Sequence, residues 1–434
     1  MKKLGIACLL VLLSAAFMLT GCSKKEAPVQ AAADPNAPVT ITVWCWDPAF
    51  NIFAMKEAEK IYKRDRPNVT INVVETPWDD VQQKLITGFS SGETSSLADI
   101  VLMQDNAMQK NIITYPSNFL PVGDKVDLSQ FAKFKVDVAA YNGKYYGVPF
   151  DNGTTGFFIR SDIIEQAGLK VEDFNDTTWE HVIELGRIVK AKTGLPLLST
   201  DGTGPDLIMI MLQSAGTWLF DQQTGKTLIT GNPALTRAVE LFIQMAQEGI
   251  LYLASDWNDY IASFNRGNVA ATIQGCWIIG SISAEPSQSG KWALVSTPKF
   301  ANIQSVNYSS QGGSGWMVLA NSKNPDVAMD FLAKTFAGSK EFYEIILPPA
   351  GAIATWLPAA DSPVYSQPVA YFGGDKVYEK LIDYVGKVPS VKYGVFNYEA
   401  RGAVTKAMMD IRNGANPAAA LKAAQDEVDF LIAQ

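Results

Sequence analysis

Histidine is almost missing from this 434-residue chain, with His181 the single example. A zinc site built from several imidazoles is excluded, and any Ser-His-Asp or Cys-His device would rest on one residue. His181 follows Thr178-Trp179-Glu180, reads as the first turn of a helix and has no nucleophile motif around it, so it is expected on a helix surface. Basic clusters are absent as well. With 36 Lys and Arg against 44 Asp and Glu the formal net charge is -8, which argues against nucleic acid, because phosphate binding needs a basic face. Beyond the first turns of the chain, no apolar run is long enough to span a bilayer. Cysteine is scarce, at four residues.

What is present starts at the amino terminus. Lys2 and Lys3 precede an apolar stretch from Leu4 to Leu19, broken by Gly5 and Ser14 and closed by Thr20-Gly21-Cys22. A charged head, a short apolar centre and small residues before the break describe a signal peptide over 1–21. Cys22 directly after small residues resembles the lipobox of bacterial lipoproteins, which implies lipidation of Cys22 and a membrane anchor. Residues 22–38 are nearly all small, polar or charged, with Val29 the one large aliphatic, so they predict a flexible tether. The expected location is therefore outside the cytoplasm, held to a bacterial membrane. Cys8 goes with the signal, which leaves Cys45 and Cys276 in similar settings, Trp44-Cys45-Trp46 and Gly275-Cys276-Trp277. Export permits a disulfide, but spacing does not show that the two meet; buried unpaired thiols are the favoured expectation.

The remaining chain is 47% hydrophobic by whole-sequence composition, enough for two lobes around well-buried cores. It opens with a β-branched strand at 39–44, then a helix from Asp47-Pro48 to about Arg64, a strand at 69–74, a helix near 79–89 and a strand at 98–103. Strand and helix in alternation predict an α/β fold with a parallel sheet, whose ligands sit beyond the carboxyl ends of the strands. Trp46, Asp47, Gln104 and Asp105 all follow such ends. Asn142-Gly143 between Tyr141 and Lys144 signals a hairpin. Further helices are expected near 162–167, 179–192, 205–215, 233–247, 325–336, 340–346, 398–412 and 417–433, with strands near 155–160, 269–273, 292–296 and 317–320.

These fragments resemble the carbohydrate-type (family 1) extracellular solute-binding proteins of bacterial ABC transporters. The resemblance rests on Thr42-Val43-Trp44, Ala98-Asp99-Ile100-Val101, Tyr141-Asn142-Gly143-Lys144 with Gly147-Val148-Pro149, the run Phe264-Asn265-Arg266-Gly267-Asn268-Val269-Ala270, Gly275-Cys276-Trp277 and the Gly-rich passage into Trp316. It implies a two-lobed α/β fold of the periplasmic-binding-protein kind, with a ligand cleft between lobes that close about a hinge. Residues 39–149 with 308–348 would form the amino-terminal lobe, and 150–307 with 349–434 the other. Crossings are expected near 149–152, 305–312 and 347–351. The implied activity is capture of a mono- or oligosaccharide and delivery to a membrane permease, by a monomer needing no metal or cofactor and carrying no catalytic residues. A polyol or glycerophosphodiester as the solute, or an exported carbohydrate-active enzyme, are the alternatives.

A sugar site needs flat apolar surfaces and side chains that both donate and accept hydrogen bonds. Trp277 is the first candidate for a stacking platform, since the family places an aromatic there and Gly275 permits a sharp approach. Trp46 with Asp47, and Gln104 with Asp105, come next, although either Asp also suits a helix cap. Asp151 and Asn152 at a crossing suit hydroxyl recognition or a turn. Trp218 faces either the cleft or the core. Gly312 and Gly313 bring backbone close to ligand or only serve the crossing, and are no phosphate loop. Asn397 occupies a family contact position where an aromatic often stands.

Overall fold

The computed structural model describes residues 37–434. The expected signal peptide, the lipidation site Cys22 and nearly all of the tether lie outside the described residues.

Twelve strands are found among the described residues: β1 (Val39–Cys45), β2 (Val69–Glu75), β3 (Ile100–Gln104), β4 (Ala140–Tyr141), β5 (Lys144–Tyr145), β6 (Val148–Asp151), β7 (Thr155–Arg160), β8 (Leu198–Asp201), β9 (Leu251–Ala254), β10 (Ala271–Gly275), β11 (Trp292–Val295) and β12 (Ser314–Val318). Ten of them build two five-stranded sheets, in the orders β2-β1-β3-β12-β6 and β11-β7-β10-β8-β9. β4 and β5 are the hairpin set by Asn142-Gly143, where Asn142 has a φ of 49° and Gly143 of 72°.

Both sheets follow one plan. Three strands run parallel (β2, β1 and β3; β9, β8 and β10), then an antiparallel strand enters, and a fifth pairs antiparallel to it. The β-branched run of β1 puts Ile41 and Val43 under complete cover, as expected of a strand with helices on both faces. The helix expected from Asp47 starts later, at Asn51–Tyr62. The Asp47 carboxylate accepts from the Ala49 and Phe50 amides, while Asn51 Oδ1 accepts from those of Trp46 and Asp47. The two side chains close a turn ahead of the helix, which delays its first hydrogen-bonded residue.

The chain passes between the sheets in two adjacent segments. Residues 151–155 and 309–314 lie side by side: the Thr155 amide donates to Ser309 O (2.9 Å) and the Gln311 amide to Gly153 O (2.8 Å). A third passage, expected at 347–351, comes later. Trp356 still bridges Phe131 and its indole N–H donates to Gln130 Oε1 (2.9 Å), whereas the Tyr371 hydroxyl already donates to Ile282 O (2.7 Å) beside the second sheet. Cys45 and Cys276 are both buried free thiols. His181 lies exposed on the helix Trp179–Thr193 and pairs with Glu184.

A charged pair is sealed beneath the crossing. Lys135, 1% exposed, places its Nζ 2.5 Å from both carboxylate oxygens of Asp105, itself 1% exposed, and donates to Ser314 O at 3.0 Å. Burial pushes the Asp105 carboxyl up to about 7, and Lys135 pulls against that rise. The folded state thus holds this proton more tightly than the unfolded chain. The benefit of Lys135, which lies in favouring the ionised carboxylate, is felt as pH climbs through about 7. Lys135→Met is expected to lose about 1–3 kcal/mol at pH 8, the cost of leaving a buried carboxyl without its partner, since a carboxyl already held near 7 takes up a proton instead of staying charged. At pH 5.5 the loss should be smaller, because Asp105 is then protonated. Urea unfolding at the two pH values checks the direction.

Candidate ligand-binding cleft

The strand pairing brings one set of ends to a common edge. β12 starts at Ser314 opposite both Gln104, where β3 stops, and Asp151, where β6 stops. β1 releases Trp46 and Asp47 beside them. In the second sheet β10 ends at Gly275 opposite Thr155, and β8 and β9 end together at Asp201 and Ala254. Between these edges lies a cavity of about 830 Å3, within the roughly 300–1,000 Å3 usual for small-molecule sites. Trp46, Asp47, Gln104, Asp151, Gly312 and Gly313 line it from the first sheet and the crossing, and Trp277 from the second.

Trp277 is held in one pose. Its indole N–H donates to Gln311 O on the crossing segment at 3.0 Å. The ring folds back over its own chain, so a Cβ on Gly275 would stand 2.3 Å from Nε1 and 2.6 Å from Gln311 O. Gly312, at φ 79°, passes the same nitrogen. Gly313 has a different reason to lack a side chain, because a Cβ there would lie 2.6 Å from Asp105 Oδ2 and 3.0 Å from Lys135 Nζ. Asp151 is 4% exposed, and the Ser314 hydroxyl donates to its carboxylate. Burial drives the Asp151 carboxyl upward, opposed by Lys135 and Ser314.

Four residues singled out in the sequence lie off the cavity wall. Asp105 is engaged with Lys135. Asn152 is fully buried, donating to Ile353 O (3.1 Å) and accepting from the Thr154 amide (2.8 Å). Trp218 is 2% exposed and donates to Asn397 Oδ1 at 2.8 Å, while Asn397 donates to Asn106 O at 3.0 Å. Asn397 therefore ties the start of the helix Asn397–Arg412 to the helix Asp105–Thr114 instead of facing the cavity.

Others on the wall were missed by sequence reasoning: Asn106, Asp206, Trp257, Tyr398 and Arg401. The Tyr398 hydroxyl donates to Asn106 Oδ1 (2.8 Å), with Gln104 Oε1 3.1 Å away, and burial pushes its pKa up to about 12. Arg401 Nη2 donates to Asp206 Oδ1 at 2.7 Å. Among the described residues Arg401 is the one cation on the wall, against the carboxyls of Asp47, Asp151 and Asp206. No group of three or more His, Cys, Asp or Glu among the described residues is placed to hold a metal ion.

The tryptophans sort by position. Of the ten in the chain, six are buried and four keep an accessible face: Trp46, Trp78, Trp257 and Trp277. Three of those four line this cavity, and Trp78 leans on Trp46 with ring centroids 5.4 Å apart.

Residues 57–373 match the model of a family described as bacterial extracellular solute-binding protein. A lactose-binding protein of Rhizobium radiobacter is 42% identical over 388 residues, 89% of this chain and 92% of that one. The chain belongs to the bacterial extracellular solute-binding proteins. Membership accounts for export and for a cleft built to bind. Solved structures share the fold at low identity. The GacH receptor of Streptomyces glaucescens superposes with a TM-score of 0.75 at 18% identity, covering 92% of this chain and 99% of that one. A transporter-associated binding protein of B. animalis subsp. lactis, solved with β-1,6-galactobiose, gives 0.70 at 19% identity over 90% of this chain and 97% of the other. In this solute-binding protein the seat of Trp277 depends on two missing side chains. Gly275→Ala is expected to force the indole or the crossing strand aside and to cost about 1–3 kcal/mol, measured by denaturant unfolding.

Proposed function

We propose that this protein is the receptor of an ABC import system that captures a neutral mono- or oligosaccharide in the cleft and delivers it to a membrane permease. The observation that carries the reading is the gathering of the accessible indoles at one cavity between two sheets, with amide, hydroxyl and carboxyl groups around them. Pyranose rings offer C–H faces to indoles and hydroxyls to such groups. The named ligands of similar proteins, lactose and β-1,6-galactobiose, agree. A glycerophosphodiester fits less well, since its phosphate would meet several carboxyls and a guanidinium already spoken for by Asp206.

The body is read as a monomer of two lobes, the first carrying 39–149 with 308 to about 356 and the other 150–307 with the chain from about 371 onward. Lipidation at Cys22 would hold it to the membrane through the polar tether. Cys22→Ser is expected to move the protein from the membrane fraction to the soluble fraction of the exported pool, seen by immunoblotting.

A thermal-shift screen tests the function, because a ligand that binds only the folded state raises its melting temperature. Lactose, galactose, mannitol and glycerophosphocholine are suitable probes. A rise with a neutral sugar is expected, together with a loss of about tenfold or more in affinity for Trp277→Ala, on the order of 1.4 kcal/mol. A rise with the charged probe alone overturns the sugar assignment, and sugar products released during binding would overturn the receptor.

A further inference from the structure

An ammonium group has three N–H donors, and those of Lys135 are all engaged. Two go to the Asp105 carboxylate at 2.5 Å and the third to Ser314 O at 3.0 Å. None is left for Asp151, which ends β6 opposite Ser314 and takes the Ser314 hydroxyl as its donor. Lys135 and Asp105 are each 1% exposed and Asp151 is 4% exposed. Two carboxyls thus share one ammonium inside the protein, and full ionisation leaves one negative charge in excess there. A shared proton removes that excess.

The other groups around the pair do not relieve it. Tyr393 acts on the Asp105 side, and Cys276 and Tyr343 on the Asp151 side; burial raises all three, the carboxylates add to the rise, and they stay neutral. On the cavity wall Arg401 is held by Asp206 at 2.7 Å, and the Asp47 carboxylate accepts from the Ala49 and Phe50 amides. Burial drives both Asp105 and Asp151 upward, with Lys135 opposing each. Asp151 differs from Asp105 in lining the cavity, so a ligand meets the excess charge there. A hydroxyl donates a strong bond to an ionised carboxylate and a weaker one to a neutral carboxyl. Little water is left on Asp151 for a ligand to strip away, so the new bond outweighs the further loss of solvent.

We infer that the Asp105–Lys135–Asp151 group couples capture to proton release, a ligand hydroxyl on Asp151 displacing the shared proton into solvent. The group then holds its proton less tightly with ligand bound than without. By linkage, affinity for ligand is greatest on the alkaline side and falls as pH drops and the group protonates. This rests on the reading of the cleft as a site for a hydroxylated solute and adds a regulation to it, a receptor that grips its cargo less in acid.

Isothermal titration of the purified protein between pH 5.5 and pH 8 tests this, with lactose, maltose, β-1,6-galactobiose and mannitol as probes and with phosphate and Tris as buffers of different ionisation heat. For the probe that binds best, affinity should rise about tenfold or more across the range, and the heats in the two buffers should differ in the sense of proton release. Asp151→Asn should flatten the rise to about twofold or less. Ser314→Ala removes a donor that favours the ionised carboxyl and should move the rise to higher pH. His181→Gln, which takes away the single imidazole, should behave as the wild type. Circular dichroism shows whether each variant is folded, and if Asp151→Asn is not, Ser314→Ala decides. Binding with the same affinity at every pH, proton uptake in place of release, a folded Asp151→Asn that keeps the full rise, or a Ser314→Ala with its rise unmoved overturns the coupling while leaving a receptor. A wild type that binds none of the four at any pH overturns the reading of the cleft and the coupling with it.

Discussion

A buried ammonium group organises the junction on which everything else here is mounted. Lys135 cannot stay charged inside the protein without acceptors on every side. It finds them in Asp105, at the head of one helix, and in the Ser314 carbonyl, at the start of β12. The Asp105 amide in turn donates to Gly313 O at 3.0 Å. Three segments far apart in sequence are thereby fixed against one another at a point directly below the cavity. The spacing is so close that residue 313 has no room for a side chain. The backbone just ahead, at Gln311, holds the Trp277 indole. Sheet, crossing and cleft wall share one set of bonds.

The first half of the sequence made the first sheet readable, because its strands are β-branched and its helices well punctuated. Trp46, Asp47 and Gln104 followed from the rule that ligands gather beyond strand ends. The second sheet was harder. β8 reads Leu-Ser-Thr-Asp and β9 reads Leu-Tyr-Leu-Ala, four residues each with little to separate them from loops or helix ends. Without those strands the same rule had nothing to act on, and the residues past them, Asp206 and Trp257, went unnoticed. Ser255-Asp256-Trp257-Asn258-Asp259 gives only the signal of a capped polar helix.

Another difficulty was a matter of one position. Asp105 lies between Gln104 and Asn106, both on the wall; Asn152 follows Asp151; Asn397 precedes Tyr398. Neighbours in an extended segment point to opposite sides, and neighbours on a helix diverge by about a quarter turn or more. Choosing the right turn and the wrong member of it is therefore the natural error when the strand's exact register is unknown. Polarity did not help, because these buried residues are as polar as their neighbours on the wall. They serve the inside, where each satisfies backbone or charged partners.

The distribution of indoles has an optical consequence. Six tryptophans are buried, four of them (Trp179, Trp218, Trp292 and Trp316) almost wholly out of reach of solvent, and the accessible ones stand in or against the cleft. Emission from this protein accordingly divides into a constant interior background and a component that senses the space between the sheets. Filling that space exchanges water for ligand around the responsive rings and leaves the background alone. The molecule carries its own gauge of occupancy, with no dye or label required.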